Sequence, residues 1–322
     1  MLDIGIIGLG NVGLSVHLPI LMSRNDLNII WVCDKNDKWN NLCSMKKIPF
    51  FVNLDKALEY KIPQLALITT PYFSRKEIFQ KIENKVGGIY FEKPFAINLD
   101  EYFYYSKNFA DFNLTIGYQR RSLGIVQSAK KIISQNIFGQ LNKISIEFGD
   151  LHYNFGGFRA NKKKAGGGIF LEAGSHWLDS ALFTSDAKKI DNFKSKIKFN
   201  DGLDIHSEGS FNIYNSTNKL TTCSFKFTCL ENTTNKIRFF FDNCTMDLFL
   251  FEDDSELIIN ADKEDQFDIK DLGMKNFPNS SLSQGAAYWD EFINSYLNRK
   301  NSYTSINEFL LTTQIIELFY EK

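Results

Sequence analysis

Residues Gly8 to Gly13 read Gly-Leu-Gly-Asn-Val-Gly, and no other stretch of the chain limits its fold so narrowly. In such a turn the first glycine permits the tight bend, the second lets a pyrophosphate approach the backbone, and the third lets the next helix pack on the strand. Ile4 to Ile7 supplies a short apolar strand before it, and Val12 to Met22 a mostly apolar helix after it. That order aims a helix N-terminus at the phosphates. About 20 residues beyond the turn, Asp34 ends a second apolar run, Leu27 to Cys33, where a carboxylate can accept from adenosine ribose hydroxyls. Gly8, Gly10, Asn11, Val12, Gly13 and Asp34 are therefore expected to bind a dinucleotide. Asp34 favours NAD because a carboxylate repels a 2′-phosphate, whereas Lys35 beside it leaves NADP open.

The pattern of strand and helix repeats. Apolar runs at Phe50 to Val52, Leu65 to Thr69, Ile89 to Phe91 and Thr115 to Tyr118 alternate with helix-like segments, which implies a parallel sheet. Ser74 and Asn98 stand where helix starts are expected, the latter followed by Asp100 and Glu101. After Arg121 one helical segment, Ile125 to Ile133, leads into strands of period two. Ile144, Ile146 and Phe148 alternate with polar residues, as do Cys223, Phe225, Phe227 and Cys229. Further strands are expected at Phe211 to Tyr214, Ile237 to Phe241, Asp247 to Phe251 and Glu256 to Asn260, and helices at Gln284 to Leu297 and Ile306 to Phe319. Asp204, His206 and Glu208 fall on the strand face opposite Ile205, Phe211 and Ile213, so they are read as a solvated or subunit face. The expected fold class is α/β: a Rossmann doubly wound parallel sheet over residues 1–120, then an α+β domain with a large, mainly antiparallel open sheet over residues 121–322. A short hinge is expected near Arg120 to Gly124.

Composition removes several function classes. At 322 residues the chain is long enough for two domains, and 37 Lys+Arg against 38 Asp+Glu leave a net charge of -1, unlike a basic nucleic-acid binder. Ile4 to Ser23 lacks charged groups, but its glycines and Pro19 argue against a membrane helix, and no basic segment precedes it as in a signal peptide. Five cysteines without a Cys-x-x-Cys pair support neither a disulfide framework nor a zinc ribbon, and suit a reducing cytoplasm.

Chemistry is expected where strands end. Thr69-Thr70-Pro71 follows the fourth apolar run and Glu92-Lys93-Pro94 the fifth, on the sheet edge where open α/β folds bind ligands. Together with Gly117-Tyr118 and Arg121, the triplet Gly166-Gly167-Gly168, and Gly174-x-His176-x-x-Asp179, these motifs resemble the Gfo/Idh/MocA oxidoreductases along nearly the whole chain. The resemblance implies that Lys93 and His176 contact the reacting hydroxyl beside the nicotinamide, and that Thr69, Thr70, Pro71, Glu92 and Lys93 join the cofactor contacts. An imidazole is suited to exchange the hydroxyl proton, and an ammonium to stabilise developing alkoxide charge.

Two positions depart from the family pattern. Glu172 stands where relatives usually carry Asp, and Arg75 where they commonly carry His. Glu172, His176 and Asp179 would share one helix face, with Glu172 assisting catalysis; no further ligand cluster supports a metal there. Arg121, Tyr153, Arg159, Lys163 and Asp179 are candidate substrate contacts, and the cations among them would suit a diphosphate. The resemblance implies an NAD(P)-dependent dehydrogenase or reductase acting on a secondary alcohol or ketone of a sugar, polyol or nucleotide-sugar, assembled as a homodimer or homotetramer. An NAD-dependent glycosidase and a catalytically silent dinucleotide sensor are the alternatives the same family contains.

Overall fold

The computed structural model describes residues 1–250, 256–261 and 281–321; Phe251, the last residue of one expected strand, lies outside them. The first sheet is built from β1 (Leu2–Ile7), β2 (Leu27–Cys33), β3 (Phe50–Phe51), β4 (Leu65–Ile68), β5 (Gly88–Phe91) and β6 (Leu114–Ile116). Neighbouring strands are all parallel in the order 3-2-1-4-5-6, the doubly wound arrangement that reverses beside β1. Both faces are covered, so β4 and β5 are buried at every residue, which is why they read as unbroken apolar runs. Gly5 is required within β1, because a Cβ there would stand 2.4 Å from the Trp31 ring.

The apolar stretch after the glycine turn is not one regular helix. Gly13–His17 forms a π-turn in which the Leu18 N–H donates to the Gly13 carbonyl, and Leu18–Met22 continues as α-helix. The uncharged stretch from Ile4 to Ser23 is thus a strand, a turn and two short helical pieces; no helix among the described residues is long and apolar enough to cross a membrane. Ser74 precedes the helix Arg75–Ile82, but its hydroxyl donates to the Pro71 carbonyl rather than capping the helix.

The chain divides into two compact units, and it does so by crossing more than once. One unit comprises Met1–Ala96, Asp100–Gly117 and Gly285–Glu308; the other comprises Ile97–Leu99, Tyr118–Gln284 and Phe309–Lys322. The single boundary expected near residue 120 is corrected accordingly. Residues from the helix Ser281–Asn298 complete the first core: Trp289 stacks on Tyr90 with ring centroids 4.4 Å apart, and the Tyr288 hydroxyl donates to the Ile116 carbonyl at 2.6 Å.

In the second unit, β7 (Leu141–Gly149), β8 (Ala187–Asn200), β9 (Leu203–Asn215), β10 (Leu220–Thr228), β11 (Lys236–Phe241), β12 (Cys244–Phe249) and β13 (Glu256–Ala261) form a sheet in the order 13-12-11-7-10-9-8. Only β7 with β10 is parallel; the other pairs are antiparallel. One face buries Phe211, Phe225, Phe227 and Phe239. Phe170 rests on Phe227 and stacks on Phe319 at 3.8 Å, so the inner face is closed by aromatic rings.

The reading of Asp204 as solvated is corrected. The register of β9 against β8 shifts between His206 and Asp204, leaving Ile205 as an extra residue. A bulge of this kind reverses which face the preceding residues occupy. Asp204 therefore turns inward and is fully buried, while His206 and Glu208 keep partly exposed positions.

Candidate active site

One cluster of expected site residues lies at the C-terminal edge of the parallel sheet. Gly8 has φ of +95°, a conformation other residues resist. A Cβ on Gly13 would lie 2.9 Å from Thr69 Oγ1 and 3.0 Å from the Gly8 carbonyl, whereas one on Gly10 would meet nothing within 4 Å. The turn is thus closed on the protein side and open at Gly10, with Asn11 exposed and Val12 half-buried. Thr69 donates to the Gly8 carbonyl at 2.6 Å and ties the end of β4 to the turn. Thr70 Oγ1, beside Gly8, is buried and has no hydrogen-bond partner among the described residues. An open glycine turn beside an unused hydroxyl fits a bound dinucleotide.

Asp34 completes this cluster. Its Oδ2 accepts from the Leu9 N–H at 2.6 Å and its Oδ1 from the Asn36 N–H at 2.8 Å, which fixes the carboxylate across the turn. A carboxylate has about four lone-pair sites, so each oxygen keeps capacity for a ribose hydroxyl. Lys35 is exposed.

Arg75, noted in the sequence only as a departure, is buried and bonds the Thr70 carbonyl at 3.1 Å and the Pro94 carbonyl. It pins Thr69-Thr70-Pro71 to Glu92-Lys93-Pro94. The Lys93–Pro94 peptide is cis. Lys93 is half-buried just beyond β5. Glu92, expected among the cofactor contacts, instead turns inward: its Oε1 bonds His17 Nε2 at 2.8 Å and its Oε2 accepts from the Lys93 N–H at 3.2 Å. Sequence reasoning missed His17.

A separate cluster of expected site residues lies in the other unit. Phe170–Gly174 is again a π-turn, closed by the Ser175 N–H on the Phe170 carbonyl, and runs into the helix Ser175–Thr184. Its start is anchored by Asp204, which accepts from the Gly168 and Phe170 N–H groups and from the Tyr320 hydroxyl, the last two at 2.8 Å. Those three bonds favour the carboxylate, but burial outweighs them and raises the Asp204 pKa. Gly168 must be glycine because a Cβ would strike the Asp204 backbone. His176 is half-buried, edge-on to Tyr118 with centroids 5.4 Å apart.

The expected substrate contacts separate into two groups. Glu172 is buried and pairs with Arg159 at 2.7 Å. Tyr153 lies near both, and its hydroxyl pKa is raised by burial and then by the Glu172 charge. Lys163 is exposed on the short helix Lys162–Ala165, which Asn161 caps through the Lys163 N–H. Arg121 and Asp179, by contrast, are each 1% exposed and bond each other at 2.8 and 2.7 Å. Thr312 adds a bond to Asp179 at 3.0 Å, and the Arg121 guanidinium lies 4.0 Å from the Phe309 ring centre. As lining residues these two are corrected: their charges are spent on one another, and Asp179 does not share an accessible face with Glu172 and His176.

A 3-2-1-4-5-6 parallel sheet, a glycine turn after its first strand and a carboxylate after its second define a Rossmann-type dinucleotide-binding protein. Residues 2–112 match the family described as "Oxidoreductase family, NAD-binding Rossmann fold", and residues 126–243 match the GFO/IDH/MocA C-terminal domain. The chain belongs to the Gfo/Idh/MocA family of NAD-binding oxidoreductases. No curated protein sequence matches it. Among solved structures it is similar to the WlbA dehydrogenase from Bordetella pertussis in complex with NADH and UDP-GlcNAcA, at 15% identity and TM-score 0.80, covering 99% of this chain and 93% of that one. It is likewise similar to the aldose-aldose oxidoreductase from Caulobacter crescentus complexed with glycerol, at 14% identity and TM-score 0.78, over 99% and 96% of the two chains. An oxidoreductase from Agrobacterium radiobacter in complex with NAD+, L-tartaric acid and magnesium matches at 14% identity and TM-score 0.74, over 99% and 95%.

Proposed function

We propose that this oxidoreductase interconverts a secondary alcohol and a ketone on a sugar-like substrate, with a nucleotide-linked sugar as the favoured class. The observation that carries the reading is the arrangement at the sheet edge: Thr69 ties β4 to the glycine turn and Arg75 ties Thr70 to Pro94, so the segment that carries Lys93 is tied to the strand end that meets the glycine turn. The nicotinamide, when bound, supplies the hydride acceptor or donor. Gly8, Gly10, Asn11, Val12 and Gly13 would cradle the pyrophosphate, Asp34 the adenosine ribose, and Thr69, Thr70 and Pro71 the adjoining part of the cofactor. Asp34 disfavours the extra phosphate of NADP, so NAD is the preferred form.

His176 accepts the hydroxyl proton as the alcohol is oxidised and returns it in the reverse direction, while the Lys93 ammonium stabilises the alkoxide oxygen. Glu172 holds Arg159 at the start of this helix, and Arg159, Lys163 and Tyr153 offer two cations and a hydroxyl to a phosphate-bearing substrate. The five cysteines are unbridged, which suits a reducing compartment such as the cytoplasm. The mixed outer face of the second sheet, with Glu147, Lys196, Glu208 and Lys226, is the surface we assign to a second copy of the chain.

A panel of UDP-linked hexoses, UDP-linked hexuronic acids and free aldoses, followed by NADH absorbance, tests this function. Turnover should appear with a UDP-linked member, and Lys93→Met should lower it about 10²–10³-fold while fluorescence titration shows NADH binding unchanged. Equal turnover in Lys93→Met overturns the assignment of Lys93, and sugar release without NADH accumulation replaces the dehydrogenase with a glycosidase.

A further inference from the structure

The first unit contains a buried polar chain that the proposed chemistry does not yet use. Trp289 Nε1 donates to His17 Nδ1 at 3.1 Å, His17 Nε2 bonds Glu92 Oε1 at 2.8 Å, and Glu92 Oε2 accepts from the Lys93 N–H at 3.2 Å. Trp289 is fully enclosed, and His17 and Glu92 are 2% and 6% exposed. The imidazole also sits edge-on to Tyr90 at 5.1 Å and to Trp289 at 6.0 Å, so its plane is fixed from two sides.

The donors and acceptors settle the protonation pattern. An indole N–H can only donate, so His17 Nδ1 is the acceptor and the ring proton sits on Nε2, directed at Glu92. A second ring proton would set donor against donor at Trp289. Glu92 is thereby held in one orientation, with its remaining oxygen on the peptide that carries Lys93.

We propose that His17 is a positioning residue for Lys93: locked by Trp289 as the Nε2–H tautomer, it fixes Glu92 and through Glu92 the Lys93 backbone. The π-turn is what allows this. Its extra residue displaces the following side chains by about 100° relative to a regular helix, and His17 is the last residue of that turn. The inference rests on the assignment of Lys93 in the proposed function, and its test includes readouts that do not depend on turnover.

Two substitutions of similar size separate its two bonds. In His17→Asn the shorter amide would mimic Nδ1 and keep a partner for Trp289 but withdraw the donor from Glu92; in His17→Gln the longer side chain would place an amide N–H near the Nε2 position and keep that donor. Nitrogen-15 NMR of the full-length wild type should show His17 as the Nε2–H tautomer. The Lys93 amide should exchange with solvent about tenfold faster in His17→Asn and near the wild-type rate in His17→Gln. Turnover on the UDP-sugar panel should fall about 10²-fold in His17→Asn, be largely restored in His17→Gln, and leave NADH affinity within about twofold. An Nδ1–H or doubly protonated ring, or equal Lys93 exchange and turnover in the two variants, overturns the positioning role. Lys93→Met run beside them keeps the two ideas apart: full activity there sinks the Lys93 assignment, whereas loss of activity there with indifferent His17 variants sinks only the relay.

Discussion

Among the described residues there are two π-turns, Gly13–His17 and Phe170–Gly174, and each introduces a histidine into a different setting. His17 is enclosed with both ring nitrogens bonded, whereas His176 is half-buried and steadied by the edge-on Tyr118 ring. The supports differ too. Neutral and acidic groups arranged in a line fix the first, while the second stands on a helix whose start is held by the Asp204 carboxylate and whose next turn carries the buried Arg121–Asp179 pair. The same irregularity can enclose a ring or present it, and the outcome is decided by what packs around the turn rather than by the turn.

If the second turn presents its histidine for chemistry, His176→Leu should lower turnover about 10²–10⁴-fold and leave urea unfolding nearly unchanged. A marked loss of stability in urea with turnover retained would make it a second enclosed ring and erase the contrast. Next in size, Asp179→Ala strands the Arg121 guanidinium between aromatic rings without its carboxylate, and a destabilisation of about 3–5 kcal/mol is expected by chemical denaturation. A cost below about 1 kcal/mol would mean water reaches the pair.

Asp204 gives a smaller, pH-dependent signature. Burial raises its pKa in the folded state, so the folded protein binds the proton more tightly than the unfolded chain. Stability from this group is therefore greatest below the ordinary aspartate pKa and falls as pH rises from there through the raised folded value. Asp204→Asn should remove that slope from a stability-against-pH curve, and an unchanged slope would show that other groups cause it. Smallest of all, Glu172→Asp shortens the arm that reaches Arg159, which is 35% exposed on its side chain; the expected change in unfolding free energy is under about 1 kcal/mol.

Much of the first unit was legible because its signals are local. Gly8 to Gly13, Asp34 and the strand-end motifs are short segments whose residues act on their immediate neighbours, and the parallel strands are buried on both faces. The edge strand β8 escaped notice because exposed Lys188, Lys189 and Lys196 dilute its apolar alternation. Asp204 was misread because simple alternation continues through Ile205, where the structure has a bulge. Arg121 and Asp179 looked like cleft residues because their mutual burial joins segments 58 positions apart, and Trp289 reaches His17 from 272 positions away. Charge type is visible in a sequence, but the partner that neutralises it is a tertiary fact.

The return of residues 285–308 to the first unit has a consequence for how the protein is made. Its first 117 residues contain every strand of the nucleotide-binding sheet, yet Tyr288, Trp289 and Phe292 must still be translated before the aromatic cluster on Tyr90 is complete. At typical synthesis rates that interval is roughly 10–35 s, during which the nascent sheet lacks its last apolar cover. The unit whose strands are all made before Tyr118 is therefore finished only after residues 118–284 of the other unit have been made, and its capacity to fold is tied to translation of the segment 285–308.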